Sequence, residues 1–205
     1  MFKTKCRLFL VLGVGLMGLS ACTSMSAEEC AVADWREVGH TDAARGFGSD
    51  RIEDHRRACA DAGIAPDLDG YLAGFAKGLP LYCTRQRGFD LAANGGGRPS
   101  QCDRREFGDF QQGFDRGEER YRLTREIDRL SEDLTAREQI ASDLAQQIAD
   151  LTTRIDSGNE PAATREDLIR QRNSLSTLFA EQQDKLTYLR DEIAYLQDDA
   201  DAIRP

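Results

Sequence analysis

The chain has 205 residues, of which 31% are charged, and its formal net charge at pH 7 is −9. This acidic balance argues against nucleic acid as a partner, because affinity for phosphate comes from clustered Lys and Arg side chains. It also argues against electrostatic attraction to an anionic membrane surface, so contact with a membrane requires another device.

The first predicted element is a short apolar segment that follows three positive charges. Lys3, Lys5 and Arg7 precede an apolar core over about residues 8–17, and small residues come after it. This order is typical of a secretory signal peptide over residues 1–21, and its apolar core is too short for a spanning helix. Its removal takes away three positive and no negative charges, so the formal net charge of the remainder is about −12.

The residues at the end of this segment are Leu19-Ser20-Ala21-Cys22, and they resemble the lipobox of bacterial lipoproteins. The resemblance implies that the segment is removed and that acylated Cys22 becomes the first residue, anchored at roughly 0.8 kcal/mol per buried methylene. The alternative is cleavage after Ala21 that leaves a free thiol, which is a liability in a secreted protein. Lipoproteins retained at the inner membrane tend to carry aspartate where this chain has Thr23. We therefore expect an outer-membrane location facing the periplasm.

Four cysteines remain once Cys6 leaves with the signal peptide and Cys22 carries the lipid. They are Cys30, Cys59, Cys83 and Cys102. An even number in an oxidising compartment predicts two disulfides, for which three connectivities are possible. Pairing in chain order, Cys30 to Cys59 and Cys83 to Cys102, is favoured because it closes two short loops, each worth about 3 kcal/mol on the chain-entropy model.

A short polar tether is predicted over residues 22–29 and a small helical domain over residues 30–121. Helical spacing and start signals predict three helices in this domain, which begin near Asp34, Asp50 and Asp67. The first two end at Gly46 and Gly63. Pro80 is expected to bend the third helix or to end it early.

Glycines recur at four-residue spacing in this domain. Three segments share the pattern: Gly39 to Gly46, Tyr71 to Tyr82, and Phe110 to Tyr121. Glycine costs a helix interior roughly 1 kcal/mol relative to alanine, so we interpret the stripes as sites of close helix packing. The alternative is a ligand groove floored by Gly74 and Gly78. Its walls would be the rings of Trp35, Tyr71, Tyr82 and Tyr121.

A longer pattern runs through about residues 28–121. It comprises Glu29-Cys30, Asp34-Trp35, Gly39, Asp42, Gly46, His55-x-x-Ala58-Cys59, Pro66-Asp67, Tyr71-x-x-Gly74-x-x-x-Gly78-Leu79 and Tyr82-Cys83. This pattern resembles DUF2799, a family of bacterial envelope proteins of unknown function. The resemblance implies a small cysteine-containing domain, often found on lipoproteins, and implies no activity or ligand. The chain departs from the family between its last two cysteines, where residues 95–99 predict a loop.

The composition changes after the third glycine stripe, and apolar residues recur in a heptad repeat over residues 122–205. Two seams, one on each side of a turn at about residues 157–164, can be laid antiparallel so that every a position faces a d position. In this register Ile155 faces Leu168 and Leu144 faces Phe179. The polar seam residues, which are Arg137, Arg172 and Gln182, each lie opposite an apolar or small residue and discourage slipped registers.

The predicted fold is therefore all-α, with a small disulfide-stapled helical domain followed by a long antiparallel two-helix coiled-coil hairpin. The hairpin offers a possible partner surface, because four apolar or aromatic residues share one flank. They are Ile140 and Leu178 at facing g positions, and Tyr188 and Tyr195 at c positions. Such a patch suggests self-association or a partner helix. The alternative is that these are ordinary exposed side chains.

Motifs for catalysis are weak throughout the chain. We find no phosphate-binding glycine loop and no nucleophile elbow. His55 and Cys59 have ligand-like spacing, but zinc needs two more donors and the thiols are expected to form disulfides. Asp34, His40 and Asp42 could form an acid-base group, although acidic residues are too common here to make this specific. We therefore predict no catalytic residues, no cofactor and no metal.

Our leading hypothesis is a lipid-anchored envelope protein that acts as a structural or protein-interaction module. Its predicted partners are the membrane, through the lipid, and an envelope protein or a second copy, through the hairpin. The alternative is a periplasmic module that binds a cell-wall or small polar ligand in the glycine groove. A hydrolase is a third hypothesis.

Overall fold

The structure is a computed structural model that describes residues 24–205, and within this range the secondary structure is helical, without strands. The helices are α1 (Ala27–Val32), α2 (Trp35–Arg45), α3 (Arg51–Ala60), α4 (Leu68–Tyr82), α5 (Arg85–Ala93), α6 (Gly108–Asp156) and α7 (Ala162–Ala202). Two short 3₁₀ turns, Ser100–Cys102 and Arg105–Phe107, connect α5 to α6. The predicted all-α fold is confirmed. The predicted signal peptide and the predicted lipid-attachment residue Cys22 lie outside the described residues.

The folded domain begins earlier than the predicted tether allows. Ser26 and Glu29 form a capping box that starts α1, with the Ser26 amide donating to Glu29 Oε2 over 2.7 Å. Met25 packs against the buried cluster of the N-terminal domain. The prediction that residues up to 29 form a polar tether is therefore wrong from Ser24 onward, because a capping box and an apolar contact together fix this segment.

Both disulfides connect the cysteines in chain order, as predicted. Cys30 of α1 pairs with Cys59 of α3, with their Cα atoms 5.7 Å apart. Cys83 pairs with Cys102 across α5, with a Cα separation of 5.5 Å. Each bond therefore attaches a short segment to the rest of the domain. These segments are α1 and the 3₁₀ turn Ser100–Cys102, and each has little apolar surface of its own.

The N-terminal domain is built from two helix pairs that pack through glycines. In the first helix pair, α2 with α4, a Cβ on Gly39 would overlap the carbonyl oxygen of Tyr71. In return, a Cβ on Gly74 would overlap the carbonyl oxygen of Arg36 and stand 2.7 Å from its carbonyl carbon. Gly78 meets the His40 carbonyl in the same way. Close packing is therefore what the glycine stripe provides.

The second helix pair, α5 with residues 108–121 of α6, repeats these contacts at matching positions. Gly88 of α5 meets the Phe110 carbonyl, while Gly113 and Gly117 of α6 meet the carbonyls of Arg85 and Phe89. Gly46 and Gly95 end α2 and α5 with φ of +89° and +75°, and each lies against a ring, Tyr82 or Tyr121. The two pairs are thus two copies of one structural unit.

The sequences of the two pairs agree with this correspondence. Arg-x-x-Gly-x-x-x-Ala-Ala-x-Gly occurs over residues 36–46 and again over residues 85–95. An aromatic residue followed by x-x-Gly-Phe-x-(Lys or Arg)-Gly-x-x-x-Tyr occurs over residues 71–82 and again over residues 110–121. The glycine spacing was visible in the sequence, but the order of four segments as two pairs was not recognised from it.

Helix α4 continues through Pro80 and ends at Tyr82, so the expected early stop is wrong. Proline lacks the amide hydrogen that would bond to the carbonyl four residues earlier. That carbonyl belongs to Ala76, which is exposed. The helix tolerates the lost bond because water can reach the free carbonyl.

The hairpin is an antiparallel pair formed by α6 and α7. There is no break at the predicted domain boundary, because α6 runs from the second helix pair into the hairpin as one helix of 49 residues. The turn contains Gly158, with φ +70°. Helix α7 starts at Ala162, before the end of the predicted turn, because Pro161 has a helix-compatible φ and its carbonyl accepts from the Arg165 amide over 2.9 Å.

Candidate interaction surface

The hairpin seam has a buried cluster in the half next to the N-terminal domain, and Leu168 beside the turn is buried as well. Leu130, Leu189 and Ile193 form a buried cluster with 5–8% exposure. In the half near the turn, several seam residues are only half-buried, which is what a two-helix contact leaves uncovered. They are Leu144, Ile148, Leu151, Ile155, Leu175 and Phe179.

The predicted partner surface is exposed on this hairpin, and we call it the hairpin flank. Its members are Ile140 (47% exposed), Leu178 (45%), Tyr188 (64%) and Tyr195 (62%). Ile140 and Leu178 lie at g positions beside the half-buried part of the seam, so apolar surface extends from the seam onto this flank. The geometry leaves the four side chains available for contact.

On the opposite flank of the hairpin, an ion pair connects α6 and α7. Arg190 Nη2 donates to Glu138 Oε1 over 2.8 Å, and both residues sit at e positions. Within the seam, Arg137 donates to Asp133 over 3.0 Å and to Gln182 over 3.3 Å. The polar seam residues Arg137 and Gln182 were expected to lie opposite apolar or small residues, but they contact each other diagonally. Arg137 therefore keeps hydrogen-bond partners without exposing the apolar seam.

The glycine-floored groove predicted as a ligand site is filled by the protein itself. Gly74 and Gly78 face the backbone of α2, and Tyr71 is fully buried at 0% exposure. Trp35 is 9% exposed, and the Tyr82 ring lies against Gly46. The groove interpretation is therefore wrong at these residues, because the glycines accommodate a helix backbone in place of a ligand.

A buried polar cluster, which we call the Asp42 cluster, crosses the first helix pair. Asp42 Oδ2 accepts from the Tyr71 hydroxyl over 2.9 Å and lies 2.8 Å from His55 Nε2. His55 Nδ1 lies 3.0 Å from Ser24 Oγ. Asp42 and His55 are 6% and 4% exposed. Four segments of chain are thus joined through one carboxylate and one imidazole.

Burial raises the pKa of the Tyr71 hydroxyl far above its ordinary value, and its hydrogen bond to Asp42 adds to the effect. Tyr71 is therefore a permanent donor to the Asp42 carboxylate at physiological pH. The order hydroxyl, imidazole, carboxylate also occurs in serine hydrolases, where Nδ1 faces the carboxylate and Nε2 faces the serine. Here Nε2 of His55 faces the Asp42 carboxylate and Nδ1 faces the Ser24 hydroxyl, which is the reverse arrangement. The geometry supports a cross-link inside the domain.

The other residues considered for chemistry are separated. Asp34 caps α2 by accepting from the Arg36 amide over 3.0 Å, and His40 lies 3.9 Å from Glu37. Asp34, His40 and Asp42 therefore form no acid-base group. Cys59 is in a disulfide and His55 faces Asp42, so the pair is not a zinc site. Within residues 24–205, no group of three or more His, Cys, Asp or Glu side chains is arranged to hold a metal.

Comparison with the second helix pair shows how the Asp42 cluster could have been found from sequence. At the positions that match Asp42 and Tyr71, the second pair has Leu91 and Phe110. A buried position that is apolar in one copy and charged in the other signals a specific polar partner. Sequence reasoning placed His55 on the face of Cys59, but it did not connect His55 with Asp42.

Residues 34–119 match the model of a family described as Protein of unknown function (DUF2799). The matched range contains both helix pairs and ends before the hairpin, so the predicted resemblance is confirmed for this part of the chain. Comparison with curated proteins and with solved structures gives no match. In the described residues, none of the helices is long and apolar enough to cross a bilayer.

Proposed function

We propose that this chain is a lipid-anchored protein of the bacterial cell envelope that acts as a structural or protein-interaction module through its hairpin. The anchor is Cys22, which ends the lipobox-like sequence Leu19-Ser20-Ala21-Cys22. Two disulfides support an oxidising compartment, because such bonds are rare in reducing ones. The absence of aspartate at Thr23 favours the outer membrane, with the protein facing the periplasm.

The hairpin flank is the observation that carries the interaction role. Ile140, Leu178, Tyr188 and Tyr195 are 45–64% exposed on a helix pair whose opposite flank is covered by an ion pair. Exposed apolar surface that is contiguous and bordered by charged residues is typical of an interaction site. A third helix, from an envelope protein or from a second copy, fits the half-buried seam beside this flank.

Site-specific photo-cross-linking in the native envelope tests this role. A photoreactive amino acid replaces Tyr195 on the hairpin flank, and in a matched variant it replaces Asp191, an exposed f-position residue of the same helix. We expect a discrete cross-linked product from position 195 and none from position 191. Equal products from both positions, or none from either, would contradict a specific interaction surface.

A further inference from the structure

Helix α4 carries an apolar surface on its side away from α2. Leu68, Leu72, Ala76 and Pro80 follow one another at four-residue spacing, which aligns them on one side of the helix. Leu68 is 43% exposed and Leu72 is 42% exposed, and Ala76 and Pro80 are exposed as well. We call these four residues the α4 flank.

The second helix pair provides an internal control for this surface. The positions that match Leu72, Ala76 and Pro80 in the first copy are Gln111, Asp115 and Glu119 in the second. Between Tyr71 and Tyr82 the only charged residue is Lys77, whereas the matching helix has five charged residues, which are Asp115, Arg116, Glu118, Glu119 and Arg120. The same structural unit therefore has a solvated outer face in one copy and an apolar one in the other. The fold itself therefore does not require apolar residues at Leu72, Ala76 and Pro80, whereas Leu68 matches the buried Phe107.

Ser24, the first described residue, is connected to this part of the domain through His55. Ser24 bonds to His55, and the His55 ring centroid lies 6.2 Å from that of Tyr71, in the turn of α4 between Leu68 and Leu72. Cys22 is only two residues before Ser24, and two residues span at most about 7 Å. The Asp42 cluster thus fixes the point at which the chain leaves the domain toward the anchor.

We infer that the α4 flank rests on the surface of the lipid bilayer that holds the acyl anchor. This inference depends on the acylation of Cys22 in the proposed function. With so short a connection, the domain cannot stand off from the membrane, and the apolar side chains on the same turn of α4 as Tyr71 meet the interfacial region of the lipids. Lys77 can extend its ammonium group to lipid phosphates. Asp69 is also exposed on α4, and its negative charge opposes this attraction to lipid phosphates.

Fluorescence quenching by brominated lipids tests this arrangement on the full mature chain, purified with its lipid and reconstituted into phosphatidylethanolamine vesicles. Leu72→Trp places a probe on the α4 flank, and Gln111→Trp places one at the matching position of the second copy. Unchanged protein supplies the signal of Trp35, the only native tryptophan. We expect brominated lipid to reduce the added emission of Leu72→Trp by about twofold and that of Gln111→Trp by less than about a tenth, since quenching requires contact with the acyl region.

Two further measurements separate the possible failures. Leu68→Trp is a second flank probe, for use if Leu72→Trp does not retain the circular dichroism of the native chain. Flotation of each variant with vesicles reports the anchor independently of the probe. Chains that float but show equal quenching at the two matched positions would overturn the bilayer contact and leave the anchor intact. Native chain that does not float would overturn both proposals.

Discussion

The N-terminal domain and the hairpin bring helices together through different contacts. In the first helix pair, glycines let the backbone of α2 lie directly on α4, as at Gly74 against the Arg36 carbonyl. In the hairpin, side chains such as Leu130, Leu189 and Ile193 fill the space between α6 and α7. The contact in the first helix pair depends on the absence of side-chain atoms at the glycines, whereas the contact in the hairpin depends on large apolar side chains.

This difference determines what each region can tolerate. A glycine contact admits almost no substitution, because any side chain must push two backbones apart. A leucine seam accepts volume-conserving exchange at a small cost. The domain is therefore a rigid unit whose outer faces vary between copies, while the hairpin is a long surface whose flanks can adapt to a partner.

The largest expected effect is that of Gly74→Ala in the first helix pair. The new Cβ would overlap the Arg36 carbonyl oxygen, and the α2 backbone cannot move without disturbing Gly39 and the Asp42 cluster. Overpacking of this kind lowers the free energy of unfolding by about 3 kcal/mol. Urea denaturation of the disulfide-intact chain, followed by Trp35 fluorescence, measures the change.

Gly108→Ala is the matched control for this prediction. Gly108 is the first residue of α6, and a Cβ there meets nothing within 4 Å. We expect a change of no more than about 1 kcal/mol, in the stabilising direction, from the better helix propensity of alanine. A loss at Gly74 as small as the change at Gly108 would show that the helix pair does not depend on backbone contact.

The parts of the fold that follow from local pattern could be predicted from sequence. The heptads placed Leu130 and Leu189 in a seam, and the loop lengths favoured the disulfides that form. The start of the folded domain was misplaced because Met25 makes a tertiary contact, which no local pattern records. Pro80 was misjudged for a similar reason, since the surroundings of Ala76, an exposed residue, are set by the tertiary structure.

Among the candidate sites too, local pattern predicted some, and others depend on tertiary contacts. The hairpin flank could be located from periodicity, because position in a heptad determines which side chains face outward. Periodicity could not decide what covers the predicted groove, because a glycine stripe looks the same whether a ligand or a helix covers it. It could not locate the Asp42 cluster either, because Asp42 stands out only when the two helix pairs are aligned. Only the folded structure shows that Asp42 of α2 faces both Tyr71 of α4 and His55 of α3.

Leu189→Ala in the hairpin is expected to have a smaller effect than Gly74→Ala. Leu189 is 5% exposed, and its removal creates a cavity beside Leu130 and Ile193. Leucine-to-alanine changes cost about 2 to 5 kcal/mol, and we expect about 2 here because a two-helix seam can partly collapse. Urea denaturation followed by circular dichroism measures the loss. Leu189→Met, which conserves volume, is the control and should lose less than about 1 kcal/mol.

Tyr71→Phe tests the polar cross-link without disturbing the glycine contact. The change removes one hydrogen bond to Asp42, which keeps His55 as a partner, so we expect a loss of about 1 kcal/mol near neutral pH. The second helix pair carries Phe110 at this position, which shows that the unit accommodates the ring. A loss as large as that of Gly74→Ala would mean that the cluster, more than the glycines, holds the pair together.

The same residue makes stability depend on alkaline pH. The pKa of Tyr71 is raised in the folded chain by burial above all, and the ordinary tyrosine value of 10.0 applies when it is unfolded. The stabilisation is therefore fully present below pH 10 and is lost as the pH rises further, because the unfolded state then releases a proton that the folded state keeps. Urea midpoints at pH 8 and at about pH 10.5 should differ more for the native chain than for Tyr71→Phe.

The smallest expected effect belongs to the charged flank of the hairpin. Arg190 and Glu138 form an ion pair at 2.8 Å, but their side chains are 52% and 49% exposed. Arg190→Ala should lower the free energy of unfolding by only about 0.5 kcal/mol, and the loss should shrink in high salt, because screening weakens exposed pairs. Comparing urea midpoints at low and high salt measures this, with Arg170→Ala as a control exposed pair within one helix. A loss near that of Leu189→Ala would mean that charges, and not the seam, set the stability of the hairpin.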